Sequence, residues 1–247
     1  MMNKSVAANT VIFASLLALS ACASSVPDRV TTAILPPLNG MIYDFDNTPV
    51  PGARIRAEAT GTETTGTETI GAEPVRSAAT SDVNGRFALA GLVAGPYAIT
   101  VSLEGYEETG IKADYSDPTQ ILYVKLFSAD QLLDLAERAA SERNWASADE
   151  YLARAAAVRP GDPAAVFLEA TLLVRKERYQ DALAKLDALT ASGVEDPYVY
   201  LFIADLLQFR MDDPAGSLKN LDRFREMRYD PAVDERAEKL RKELTAR

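Results

Sequence analysis

The C-terminal half of the chain repeats itself with a period of about 34 residues, and this period constrains the fold more than any other feature. The motif Trp145-x-x-Ala148 aligns with Tyr179-x-x-Ala182 at that spacing. From residue 128 onward the composition shifts to Ala, Leu, Glu and Arg, and Pro occurs only at the apparent breaks. Each repeat therefore predicts a pair of helices that buries its apolar face against neighbouring pairs.

A third copy begins at Pro197, with about one residue of slippage in its second helix. The repeat resembles the tetratricopeptide repeat, whose unit is two antiparallel helices over about 34 residues. The resemblance implies about three repeats over residues 128–230. A final charged helix over 231–247, opened by Pro231, would cap the stack with a polar outer face.

Stacks of this family bind extended peptides or helices along a concave face, and the register of this chain predicts which residues line that face. These residues are Glu137, Phe167, Thr171, Arg175, Leu201, Asp205, Gln208 and Phe209. Members that hold a chaperone's terminal carboxylate carry Asn and Lys where this chain has Glu137, Thr171 and Asp205, so no such clamp is expected. Phe167 and Phe209 are expected either to anchor a partner in the groove or to pack against the capping helix.

Residues 38–127 predict a small β-sandwich, because apolar residues alternate there with period two between turn signals. A last strand is expected over 121–127, and Gly85 lies where a tight turn needs a positive φ. Five residues of the alternating pattern are predicted to fill the core: Phe87, Leu89, Tyr97, Ile99 and Val101.

Two strings of motif residues give the sandwich a more specific resemblance. The pattern G-x-x-x-D-x-x-x-x-P-V-P-G-A begins at Gly40, and S-D-x-x-G-x-F-x-L-x-G-L-x-x-G-x-Y-x-I-x-V-x-x-x-G-Y begins at Ser81. Together they resemble the carboxypeptidase regulatory-like domain. The resemblance implies a prealbumin-like β-sandwich, classed with carbohydrate-binding-like folds, that carries no chemistry itself. Most Tyr and Phe of this half fall on apparent core positions, which disfavours an aromatic platform for a sugar.

Polar residues in the predicted turns have two interpretations. Asp44, Asp46, Asp82 and Asn84 are candidate calcium ligands, but they lack the dense oxygen spacing of a calcium loop. Capping of the turns is the preferred interpretation. Residues 60–72 contain the near-repeat GTETTGTETIGA, whose low apolar content predicts a loop between two strands.

The N-terminus predicts a secretory signal over residues 1–21, with Lys4 followed by an apolar run over 11–21 that is too short to span a membrane. The run ends in L-S-A-C at Cys22, which resembles a bacterial lipobox. The resemblance implies a diacylglycerol on the Cys22 thiol, and Ala23, rather than Asp, implies sorting to the outer membrane. The alternative is an ordinary signal in which the Cys falls there by coincidence.

Composition excludes several function classes. The chain has no His and one Cys, which excludes His-dependent catalysis, His-ligated metal sites and thiolate clusters. Its net charge of −10 gives no support for nucleic-acid binding. No cofactor motif is found, and the abundant carboxylates are interpreted as solvated helix faces.

The sequence thus predicts a non-catalytic, lipid-anchored protein of the cell envelope. It is expected at the outer membrane, facing the periplasm or the cell surface. A tether over 22–37 precedes the sandwich, and the repeats bind a protein or peptide partner. The alternative is a carbohydrate- or cell-wall-binding lipoprotein that uses the sandwich.

Overall fold

The computed structural model of the protein describes residues 34–60 and 76–246. Within these ranges seven β-strands precede seven α-helices. The predicted fold class, a β-sandwich followed by all-α helical repeats, is confirmed. The predicted signal peptide, Cys22, most of the predicted tether and nearly all of the predicted 60–72 loop lie outside the described residues.

The strands form two sheets that pack face to face. In the described residues one sheet has the order β4-β1-β7 and the other the order β3-β2-β5-β6. Strand β1 pairs in parallel with β7, and every other described strand pairing is antiparallel. The strands are β1 Leu38–Tyr43, β2 Arg54–Ala59, β3 Arg76–Thr80, β4 Arg86–Leu89, β5 Gly95–Ser102, β6 Thr109–Tyr115 and β7 Ile121–Lys125.

Alternating side chains from both sheets fill a single apolar core. The five residues predicted for this core are all buried, which confirms the period-two interpretation: Phe87, Leu89, Tyr97, Ile99 and Val101. Two buried tyrosines also satisfy their hydroxyl groups. Tyr97 donates to the carbonyl of Val93 at 3.0 Å, and Tyr115 donates to the carbonyl of Pro36 at 2.6 Å.

Two strands have no counterpart in the sequence prediction. Both β3 and β6 are edge strands of the four-stranded sheet, so each pairs on one side only. No residue of β3 is fully buried, and its sequence RSAAT offers no large apolar side chain. β6 alternates Ile111, Ala113 and Tyr115 with Lys112 and Asp114, a pattern in which only the last residues are buried. Partial burial relaxes the apolar alternation that the prediction relied on.

The turns use the polar residues as predicted. Asp44 accepts hydrogen bonds from the backbone of Asp46 and Thr48, and Asp82 accepts them from the backbone of Asn84 and Arg86. Turn capping by these two aspartates is therefore confirmed.

The helices repeat with the predicted period. Those that begin each pair start at Ala129, Pro163 and Pro197, and the capping helix starts at Pro231, so successive starts are one repeat apart. The second helix of the third pair starts one residue late, which confirms the predicted slippage. The helices are α1 Ala129–Ser141, α2 Trp145–Val158, α3 Pro163–Arg175, α4 Tyr179–Ala191, α5 Pro197–Arg210, α6 Pro214–Met227 and α7 Pro231–Thr245.

Small residues allow the helices to approach closely. Five alanines at equivalent repeat positions have no exposed surface: Ala136, Ala148, Ala170, Ala182 and Ala204. Helix α7 buries Val233, Ala237 and Leu240 against the last pair. In the described part of the chain, none of the helices is both long and apolar enough to cross a membrane.

A direct junction joins the sandwich to the helices. Arg154 on α2 makes two hydrogen bonds to Glu107, at 2.7 and 3.0 Å, and stacks on the Phe127 ring at 5.1 Å. Gln131 on α1 donates to a carboxylate oxygen of Asp46 at 2.6 Å. Only Leu126 to Ser128 separate β7 from α1, so the first helix pair is held directly against the sandwich.

Gly85 provides a test of the sandwich turn. It has φ of +73°, and a Cβ built there lies 2.4 Å from the carbonyl oxygen of Ile42. We expect Gly85→Ala to lower the free energy of unfolding by more than about 2 kcal/mol, because both backbone strain and a steric clash oppose it. Denaturant titration followed by circular dichroism measures the loss.

Gly91 is the matched control, because its φ of +76° is similar but no atom lies within 4 Å of the built Cβ. Gly91→Ala is expected to cost only about 1 kcal/mol, from the backbone alone. Equal losses in the two variants would contradict the steric argument.

Candidate functional site

The helices that begin each pair form a continuous face together with the capping helix. α1 and α3 line one cleft, Phe167 on α3 packs on Phe202 of α5 at 5.4 Å, and Arg236 on α7 contacts Asp205 of α5. This face includes Phe167 and Asp205, two of the residues that the sequence predicts for partner binding.

An open cleft of about 420 Å³ lies between α1 and α3. Each helix contributes four positions, at successive spacings of three, one and three residues, so each presents one side to the cleft. The positions on α3 are one repeat after those on α1, because the two helices begin in the same register. The lining residues are Asp130, Leu133, Asp134 and Glu137 on α1, and Ala164, Phe167, Leu168 and Thr171 on α3.

The floor of the cleft is apolar and half-buried. Leu133 and Leu168 pack against the core of the first repeat, and Phe167 packs against the core of the second. The hydroxyl of Thr171 donates to the carbonyl of Phe167 at 3.0 Å, within the same helix. The floor thus offers an aromatic ring and two leucine side chains to a docked group.

The rim of the cleft is acidic. Asp130 is paired with Arg159. Asp134 and Glu137 are both exposed, and neither has a hydrogen-bond or ion-pair partner among the side chains of residues 34–60 and 76–246. The hydrogen bond that Arg159 donates to Asp130 raises the pKa of that guanidinium.

The other end of the face is occupied by the capping helix. Arg236 on α7 donates to Asp205 at 2.5 Å and to Gln208 at 2.8 Å. Its guanidinium lies 4.9 Å from the centre of the Phe209 ring. Phe209 nevertheless keeps 63% of its surface exposed. One arginine of the cap therefore contacts three residues that the sequence predicts for partner binding.

The structure separates the predicted residues into two clusters and two outliers. Glu137, Phe167 and Thr171 come together in the α1–α3 cleft, whereas the cluster of Asp205, Gln208 and Phe209 meets Arg236. Of the two expectations for the phenylalanines, contact with the capping helix applies to Phe209, and Phe167 lies in the open cleft.

The two outliers take no part in either cluster. Leu201 is partly buried and packs against the core that α5, α6 and α7 share. Arg175 is exposed at the end of α3 and does not line the cleft.

Five lining residues were not predicted: Asp130, Leu133, Asp134, Ala164 and Leu168. The signal for Leu133 was present, since it is one repeat before Phe167. Asp134 and Leu168 are the next positions along the same two helices, and a residue-by-residue comparison of the repeats identifies them as a matched pair.

The sandwich also carries an exposed apolar surface. Tyr123 and Ile121 on the edge strand β7 keep 63% and 52% of their surface exposed. Met41 on β1 is paired with Tyr123 in the sheet register, and the Tyr43 hydroxyl donates to its sulfur at 3.2 Å. Only three of the eight Tyr and Phe residues in 38–127 are buried, Phe87, Tyr97 and Tyr115, so the expectation that most of them are core residues is wrong. Tyr123 is the one classed as exposed.

Comparisons with known proteins agree with the sandwich assignment. Residues 37–121 match the family model of the carboxypeptidase regulatory-like domain, which confirms that resemblance for this segment. No curated protein matches the chain in sequence.

Several solved structures of repeat proteins are similar to about half of this chain. The TPR domain of Arabidopsis OM64 is 10% identical over 47% of this chain and 95% of its own, with a TM-score of 0.41. The TPR2AB domain of yeast Sti1, in complex with pHSP90, is 16% identical over 48% of each chain, with a TM-score of 0.42. The Yersinia enterocolitica type III secretion chaperone SycD, in complex with a peptide of the translocator YopD, is 13% identical over 46% of this chain and 92% of its own, with a TM-score of 0.41.

Arg236 provides a test of how the cap is held. Arg236→Met removes two hydrogen bonds and a cation–π contact, and we expect the free energy of unfolding to fall by about 1 kcal/mol. The loss stays small because these contacts are partly exposed to water. Denaturant titration at low and high salt measures it, and the difference from the parent protein should shrink as salt rises.

Lys239→Met is the control on the same helix, because Lys239 is exposed and has no ion pair among the described residues. It also removes one positive charge. A loss as large as that of Arg236→Met would show that general charge, rather than the contacts of Arg236, stabilises the cap.

Proposed function

We propose that the chain is a non-catalytic, lipid-anchored protein of the cell envelope that holds a segment of a protein partner in the α1–α3 cleft. The observation that carries this proposal is the cleft itself. It combines an apolar floor with polar groups on its rim that are unpaired within the described residues.

The shape of the cleft suits side chains that project from a polypeptide. Its floor is only half-buried, and its two walls are helices that present matching positions. Phe167 and the neighbouring leucines can each contact an apolar side chain of a docked segment, while the backbone of that segment stays at the rim. Small-molecule sites are usually more enclosed, so a protein segment is the better fit.

Cys22 is the proposed anchor. It is the only Cys of the chain and follows the L-S-A sequence at the end of the apolar run. The acyl chains on a modified Cys22 would hold the protein at a bilayer, with each buried CH₂ contributing about 0.8 kcal/mol. Ile34 is already paired with Val93 of the sandwich, so the segment that could act as a tether is 23–33, which would reach at most about 40 Å if fully extended.

Lipidation is tested by replacing the thiol. We expect the parent protein to incorporate a metabolically supplied palmitate analogue in bacterial cells, and Cys22→Ala to incorporate none. The readout is in-gel detection of the labelled fatty acid. Ser24→Ala leaves the thiol in place and should label normally. A parent protein that incorporates no label would overturn the anchor.

Partner binding is tested by crosslinking inside cells. A photoreactive amino acid replaces Glu137 on the rim of the cleft, and a second probe replaces Glu142, which is exposed beyond the end of α1. We expect a discrete protein adduct from position 137 and none from position 142. Mass spectrometry of the adduct identifies the partner. Identical adduct patterns at both positions would refute the cleft as the binding site.

A second candidate function rests on the exposed Tyr123 surface. An aromatic ring on a flat sheet face can stack on a sugar, so glycan binding by the sandwich remains the alternative. A third probe at Tyr123 separates the two functions. Adducts from position 123 alone, or retention of the chain on purified cell-wall glycan without protein adducts, would favour the glycan-binding function.

A further inference from the structure

Equivalent positions along the repeats differ in whether an acidic side chain faces an arginine, and this difference bears on the ligand. Glu137, Thr171 and Asp205 occupy the same position in α1, α3 and α5, since they are successively one repeat apart. The opposing position on the next helix of the face is held in turn by Leu168, Phe202 and Arg236, which have the same spacing.

Where α5 contacts α7, the acidic position has a partner within the chain. Asp205 accepts a hydrogen bond from Arg236, and the guanidinium lies on the Phe209 ring. The stem of an arginine in such a position covers apolar surface while its head pairs with a carboxylate. This step therefore shows within the same chain how the face accommodates a cation.

In the α1–α3 cleft, the acidic position has no arginine partner among the described residues. The acidic residue of this cleft is Glu137, and the position equivalent to Arg236 is occupied by Leu168. Among the residues described, no Lys or Arg lines this cleft. Asp134 lies one turn from Glu137 on the same side of α1, so two carboxylates face an apolar floor without a cation.

We propose that the α1–α3 cleft selects a cationic segment of its partner, in which an Arg or Lys lies next to an apolar residue. The cation would meet Asp134 and Glu137, and the apolar residue would contact the half-buried Phe167. This inference rests on the proposed function and specifies the chemistry of the partner. The net charge of −10 would also attract such a segment from a distance.

The experiment uses the full chain and three synthetic peptides that share their apolar residues. They differ only in carrying Arg, Gln or Glu at the remaining positions. We expect the Arg peptide to bind about tenfold more tightly than the Gln peptide by fluorescence anisotropy, and the Glu peptide to bind most weakly. The preference for Arg should shrink as salt rises.

The variant D134N/E137Q removes both rim charges, and its affinity for the Arg peptide should fall to the level of the Gln peptide. The matched control is E142Q/D187N, which removes two exposed acidic charges from outside the cleft. It should keep the preference for Arg, because only the general charge of the chain has changed.

A second variant, L168R, places an arginine at the position equivalent to Arg236. We expect it to pair with Glu137, to occupy the cleft and to weaken binding of the Arg peptide about tenfold. Its melting temperature is measured alongside, since Leu168 is half-buried. L168Q has a similar polarity without the charge and should weaken binding less.

The outcomes distinguish this inference from the proposed function. Equal binding of the three peptides would overturn the selection for a cation, while the cleft remained a peptide site. Binding of none of the peptides would also overturn it, and the crosslinks from position 137 would decide the proposed function separately. Self-association that D134N/E137Q abolishes would make a second copy of this chain the occupant, and would overturn it too.

Discussion

Three Asp-Pro pairs, beginning at residues 162, 196 and 230, start the helices α3, α5 and α7. In each pair the aspartate side chain accepts a hydrogen bond from the backbone of the first turn, and the proline fixes the backbone at the first helical position. Because these starts recur once per repeat, the same side of each helix meets the same side of the next. The cleft, the core alanines and the position of the cap all depend on that register.

The register explains why much of this protein could be predicted from its sequence. The period identifies the helix pairs, and period-two alternation identifies Phe87 and Tyr97 as core residues of the sandwich. The edge strands β3 and β6 were not predicted, because a strand that is paired on one side only can carry small or charged residues. Within the site, Glu137, Phe167 and Thr171 were placed together, since register alone decides which side of a helix they share.

Other features of the site depend on contacts that no period encodes. The capping helix keeps the buried apolar positions of α5, with Val233 one repeat after Val199. This pattern does not indicate that Arg236 reaches the Phe209 ring. Leu201 has the repeat position of Phe167, but it packs against the core of the last helices and is not among the residues that line the cleft. Such contacts join side chains that are far apart in the sequence, so they depend on tertiary packing rather than on the period alone.

The parallel pairing of β1 and β7 has a mechanical consequence. The chain first pairs with the sandwich at Ile34, passes into the start of β1, and leaves for the helices at the end of β7. The two connections therefore lie at opposite ends of the β1–β7 pair. A pull between the N-terminal segment and a partner held by the helices would load the hydrogen bonds of that pair in shear. All the bonds would then share the load together, whereas in a hairpin pulled from one end they would break one by one. The sandwich is thus connected as a link that resists tension, whatever else its surface binds.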